Sequence, residues 1–128
     1  MTRRPRNAHR DKTSHAAVRD WLKARGCYPA VTMRNPQGAI WYHGGHYCGL
    51  PLQAMDVSSI PGWIDWLVWI GVPGNGVCCS WECKEPGNEN RLTDGESEWI
   101  NQSLTLCAII VDADDCEGAA ARAIGLLA

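Results

Sequence analysis

A chain of 128 residues with 45% apolar content and a net charge of −2 describes one domain with a modest core. It has no run of about 18 uncharged apolar residues, which excludes a membrane-crossing helix, and its basic N-terminus lacks the apolar segment of a secretory signal. Seven cysteines, an odd number without a paired framework, imply reduced thiols in a cytosolic protein.

The small net charge argues against indiscriminate nucleic-acid binding, but it hides an asymmetry. Residues 1–25 hold eight of the twelve Lys and Arg and two acids, a net of +6; the remainder carries four bases and twelve acids, a net of −8. A basic end suited to phosphates and an acidic body suited to a cation follow from that division.

Residues 1–12 read as a basic arm, with Arg3, Arg4, Arg6 and Arg10 as candidate phosphate contacts, and residues 13–128 as a single domain. A first helix is expected from an N-cap at Thr13 or Ser14 to Arg25, stopped by Gly26, with Ala17, Val18, Trp21 and Leu22 facing the core. His15 in its first turn reads as a surface residue. Pro29–Arg34 has the composition of a first strand, and Arg34-Asn35 at its end either touches a phosphate or starts the next turn.

From Pro36 to Ile60 the chain is Gly-rich and irregular, with a small hairpin expected to fold at Gly44-Gly45. His43, His46 and Cys48 there lack a clear fourth ligand for zinc. Trp41, Tyr42 and Tyr47 either stack on unpaired bases or cover the core.

Trp63–Ile70 and Val77–Lys84 are β-branched and aromatic runs flanking Gly71-Val72-Pro73-Gly74-Asn75-Gly76, which predicts a hairpin. If Ile70 faces Val77, then Asp65 faces Glu82. Ser80, Glu82 and Lys84 then share one face, and Cys79, Trp81 and Cys83 the other. Two opposed carboxylates repel, and a divalent cation converts that penalty into a ligand set suited to Mg²⁺ or Mn²⁺. An exposed Glu82–Lys84 ion pair with a strand-start Asp65 is the plainer alternative.

Past the hairpin, Thr93-Asp94-Gly95-Glu96 has the form of a capping box opening a helix to about Leu104, so Glu96 is a capping residue, a site residue, or both. Leu106–Val111 reads as a buried strand, and Asp114 or Asp115 as the cap of a last helix over Glu117–Leu127.

Gly62-Trp63-Ile64-Asp65, a hairpin, then Glu82-Cys83-Lys84, followed by Arg91-Leu92-Thr93 before a helix, resembles the PD-(D/E)XK nuclease superfamily, and within it the small stand-alone VRR-NUC proteins of phages and bacteria. The resemblance runs from about Asp11 to Val111. Ile64 stands where many members carry Pro, and Asp11 is the nearest counterpart of the family's N-terminal helical Glu.

The resemblance implies a restriction-endonuclease-like α/β core in the order α-β-β-β-α-β-α, a central mixed sheet flanked by helices. It also implies metal-dependent hydrolysis of DNA phosphodiester bonds. Asp65, Glu82 and the Cys83 carbonyl would hold Mg²⁺ or Mn²⁺, Lys84 would be the catalytic lysine, and Glu96 and Asp11 would support the site. Small solitary relatives suggest branched or junction DNA and a homodimer. Alanine at Glu82 or Lys84 is expected to abolish cleavage and leave the fold intact. The alternatives are a nuclease-like fold that binds nucleic acid without cutting it, and a small zinc-stabilised binding module using His43, His46 and cysteines.

Overall fold

The structure, a computed structural model, describes residues 12–34, 38–72, 74–102 and 105–126. Arg3, Arg4, Arg6, Arg10, Asp11 and Asn35 lie outside the described residues, as does the side chain of Arg34.

The elements follow the order α1 (Lys12–Ala24), β1 (Tyr28–Arg34), β2 (Ile40–Tyr47), β3 (Leu50–Asp56), β4 (Trp66–Ile70), β5 (Val77–Cys83), α2 (Asp94–Gln102), β6 (Leu106–Ile110) and α3 (Ala113–Gly125). The six strands form one sheet in sequence order, β1 to β5 as an antiparallel meander and β6 parallel to β5. Only the parallel pair needs a long crossover, and α2 supplies it. The class is therefore α/β, with a mixed sheet and, among the described residues, three helices.

Period-two alternation divides the apolar residues between two layers. On one face Trp66, Val68, Ile70, Cys79, Trp81 and Cys83 pack with Val18, Trp21 and Leu22 of α1 and with Cys116, Ala119, Ala120 and Ala123 of α3. The small residues of α3 let that helix approach closely. On the other face Ala39, Val57 and Ile64 pack with Met55, Leu67 and the α2 residues Trp99 and Ile100. Trp99 also donates its indole N–H to Ser80 Oγ at 3.2 Å.

The region expected to be irregular is largely β-sheet. Its hairpin turns at Cys48-Gly49, not at Gly44-Gly45: Tyr47 pairs with Leu50, and both turn residues have positive φ, 50° and 80°. That is the backbone twist a two-residue hairpin loop requires. Gly44, at φ 94°, instead falls where the β2–β3 register slips by one residue, a bulge.

Gly45 sits where β2 touches the end of α1, with His46 N–H donating to the Arg25 carbonyl at 3.1 Å. A Cβ at Gly45 would stand 2.5 Å from Cys27 Sγ and 2.6 Å from the Arg25 carbonyl oxygen. Gly45→Ala is therefore expected to cost about 1–3 kcal/mol, readable as a lower urea midpoint.

Two helix starts also differ from expectation. The first turn of α1 begins at Lys12, and its acceptor comes from far away: Ser14 N–H and Oγ–H donate to Glu85 Oε2 at 3.2 and 3.3 Å. Ser14 is buried inside the turn and is not the cap. The last helix is capped by Asp112, which accepts from Asp115 N–H at 3.1 Å, while Asp115 Oδ2 accepts from Val111 N–H at 2.8 Å. These bonds satisfy the first-turn amide of Asp115 and the amide just before the cap, so both aspartates hold the helix start.

Candidate functional site

The β4–β5 hairpin has the expected register. Ile70 pairs with Val77, and the ladder runs to Trp66 opposite Trp81, one step short of Asp65 and Glu82. Beyond that step Cys83 N–H donates to Asp65 Oδ2 at 2.9 Å, which fastens the aspartate to the end of β5. On the other side of β5, Lys84 N–H donates to the Ile110 carbonyl at 2.9 Å, so β6 fixes the backbone that carries the lysine.

The charged side chains gather between β5 and α2. Lys84 Nζ lies 3.0 Å from Glu96 Oε1 and 3.5 Å from Glu82 Oε2. Glu96 caps its helix and also meets the lysine. Its Oε1 accepts from Thr93 N–H at 2.8 Å while its own N–H donates to Thr93 Oγ1 at 3.2 Å, closing the capping box, and the same oxygen meets the ammonium group. Asp65, Glu82, Lys84 and Glu96 are only 5, 1, 4 and 3% exposed. The exposed ion pair of the plainer reading is thus replaced by a buried cluster of three acids and one base.

Glu82 is the anomalous member. Its buried oxygens meet no donor at full hydrogen-bond geometry: Lys84 Nζ stands 3.5 Å away, and a proton shared with the Glu96 carboxyl links the two acids. Burial, and then the charges of Asp65 and Glu96, push its pKa far above the usual carboxylate range. For Glu96, burial pushes upward too, but the adjacent Glu82 carboxyl, the Thr93 amide and Lys84 outweigh it and hold the acid below its ordinary value. Within the cluster Glu96 is the anion that balances Lys84, and Glu82 is the acid that keeps a proton.

The two shifts have opposite consequences for stability. A raised folded-state pKa favours the fold at low pH, so Glu82's contribution is complete below its ordinary value of 4.5 and is lost as pH rises above it. The lowered pKa of Glu96 contributes above that range and is lost on acidification. The protein is therefore expected to lose stability from pH 5 to pH 9, because the unfolded chain gives up the proton that folded Glu82 keeps. Urea unfolding across that range should show the decline, and Glu82→Gln should flatten it.

Cys83 contributes its N–H to the site, while its thiol lies fully buried on the opposite face. Burial, then Asp65 and Glu82, raise that thiol well above its ordinary pKa. On the same side His15 Nε2 stands 3.1 Å from Asp56 Oδ2, and the His15 ring lies 5.1 Å from that of Trp66. His15 is thus half-buried and engaged, contrary to its reading as a surface residue. Helical position gave it no distinguishing signal, since its partners lie 41 and 51 positions away in the sequence.

The comparison with known proteins decides nothing here. No protein-family model, curated protein or solved structure matches the chain.

Residues 36–60 contribute less to this site than expected. Tyr42 and Tyr47 are core residues, and Trp41 packs 5.7 Å from Trp69. His43 and His46 are exposed, and among the described residues the only His, Cys, Asp or Glu group with converging ligand atoms is His15, Asp65 and Cys83. The accessible aromatic surface is elsewhere. Trp63, 39% exposed, lies 5.2 Å from Trp99, and the two line a cleft of about 390 Å³ with Gly62, Gly95 and Glu98. Of its lining residues, Gly95 immediately precedes Glu96 in the chain and Trp63 lies two residues before Asp65. No described helix is long and apolar enough to cross a membrane.

Proposed function

We propose that the chain is a metal-dependent nuclease that hydrolyses DNA phosphodiester bonds, with a restriction-endonuclease-like core made of α1, the β3–β5 meander, α2 and β6. One observation carries the reading: Glu82 is buried among Asp65, Glu96 and Lys84, and its two oxygens meet no donor at full hydrogen-bond geometry. A buried carboxylate so placed calls for an explanation, and a divalent cation is one that also relieves its repulsion with Asp65.

The donor set suits Mg²⁺ or Mn²⁺, with Asp65, Glu82 and the Cys83 carbonyl as holders. When bound, such an ion polarises a phosphate oxygen and lowers the pKa of water. Glu82 must lose its proton to take this role, so binding strengthens as pH rises. Lys84, paired with Glu96 at 3.0 Å, would then orient the attacking water and offset charge in the transition state. Glu96 is a positioning residue, because it acts through Lys84. The Trp63–Trp99 cleft offers a face on which an unpaired base can stack, which supports branched or junction DNA over plain duplex. Cutting both strands needs two sites, and a symmetric homodimer supplies them.

Incubation of labelled single-stranded, duplex and four-way branched DNA with the protein and Mg²⁺ or Mn²⁺ tests the proposal. Cleavage that disappears in Glu82→Gln supports it; intact DNA under every metal condition, with the fold verified, overturns it. Retained DNA binding in that second outcome would favour the non-cutting alternative, towards which the deep burial of all four charged groups leans.

A further inference from the structure

We infer that His15, Asp65 and Cys83 form a second cation site, selective for a borderline-soft divalent ion such as Zn²⁺, which shares Asp65 with the Glu82 cluster. Three elements remote in sequence converge here: α1, the entry to β4 and the end of β5. A His nitrogen, an Asp oxygen and the Cys sulfur all lie within 4.8 Å of one another. Tetrahedral zinc holds such atoms about 3.5 Å apart, a contraction within reach of small side-chain rotations. The three residues leave a fourth position open, as in zinc sites that exchange a ligand.

Two further features distinguish the group from a chance cluster. Histidine ligands characteristically give their second ring nitrogen to a carboxylate. His15 Nε2 already meets Asp56 Oδ2, and Asp56 Oδ1 in turn accepts from Ser58 N–H and Oγ–H at 3.1 and 2.7 Å. The ring is therefore held by a carboxylate that is itself held, and in the proposed site its other nitrogen, Nδ1, is the ligand. In addition, sulfur and nitrogen donors favour zinc over magnesium, whereas the oxygens of Glu82 and Asp65 favour magnesium. Asp65 thus stands between an oxygen set facing α2 and a nitrogen–sulfur set facing α1. A zinc ion that takes Asp65 withdraws it from Glu82 and antagonises the magnesium-dependent reaction. That regulatory consequence rests on the nuclease reading; the site itself does not.

Titration of metal-free protein with Co²⁺ as the zinc surrogate tests both parts. A thiolate-to-cobalt charge-transfer band saturating at one ion per chain is expected. The band should persist in Cys48→Ser and Glu82→Gln and vanish in Cys83→Ser. Affinity should fall roughly 10–100-fold in Asp56→Asn and at least as far in His15→Gln, two variants that read the site even if Cys83→Ser fails to fold. No band in the native protein, or one that survives Cys83→Ser, overturns the site. Zinc inhibition of DNA cleavage that is relieved in His15→Gln supports the sharing of Asp65; a cobalt band without zinc inhibition overturns it. If the protein cuts no DNA, the cobalt band still decides whether the site exists.

Discussion

Glutamine at position 82 is expected to abolish DNA cleavage and, in the same protein, to stabilise the metal-free fold. The two effects have one cause. Glu82 is buried, has Lys84 only at 3.5 Å and carries a strongly raised pKa, so at neutral pH the protein bears the cost of an acid in the wrong environment. Glutamine keeps the shape, carries no charge and brings donors that can reach neighbouring carboxylates. A gain of roughly 1–3 kcal/mol at pH 8 follows, the usual cost of a buried polar group left unsatisfied. Cleavage should fall by at least about 10²-fold, since an ion in this role is worth several kcal/mol. Urea melts and cleavage assays on one preparation check both halves, and a variant that cuts at the native rate removes Glu82 from the site.

Removing the lysine should do the opposite to stability. Lys84 is the cation that two buried glutamates share, at 3.0 and 3.5 Å. Lys84→Ala leaves Glu96 without its counter-charge, and breaking a buried pair from one side costs about 3–5 kcal/mol. The expectation from sequence, that alanine here spares the fold, therefore gives way to a destabilised protein. Inactivity of that variant alone would prove little. Lys84→Met combined with Glu96→Gln removes charge from both sides and should recover most of the loss, because apolar or neutral replacement of a whole buried pair is often tolerated. If the double variant folds like the native protein and still fails to cut, the lysine is needed for chemistry. A single Lys84→Ala variant as stable as the native protein would contradict the buried pair.

What could be read from the sequence was what local chemistry specifies. The glycines around Pro73 leave one economical way to close the hairpin, so the Ile70–Val77 register, and with it the approach of Asp65 to Glu82, followed from counting. The capping box at Thr93 was legible for the same reason. Features that depend on distant partners were not. The start of α1 is set by Glu85, 71 residues away, so Ser14 passed for a cap. The β2–β3 turn was assigned to two adjacent glycines because nothing local marks Cys48 as a residue with positive φ. The burial of Lys84 and the engagement of His15 by Asp56 exist only once helices close over both faces of the sheet.

The position of β6 has a kinetic consequence. Strands β1 to β5 pair with their sequence neighbours, and such local pairings close early; the parallel β5–β6 ladder must wait for α2 to cross over, at a greater loop-closure cost. Since Lys84 N–H is bonded to Ile110, the ammonium group is fixed only when that last ladder closes. Refolding followed by pulsed hydrogen exchange should show the Cys79 and Trp81 amides protected together with the meander and the Lys84 amide later. A chain caught between those stages already holds its acids and still lacks the base that balances them.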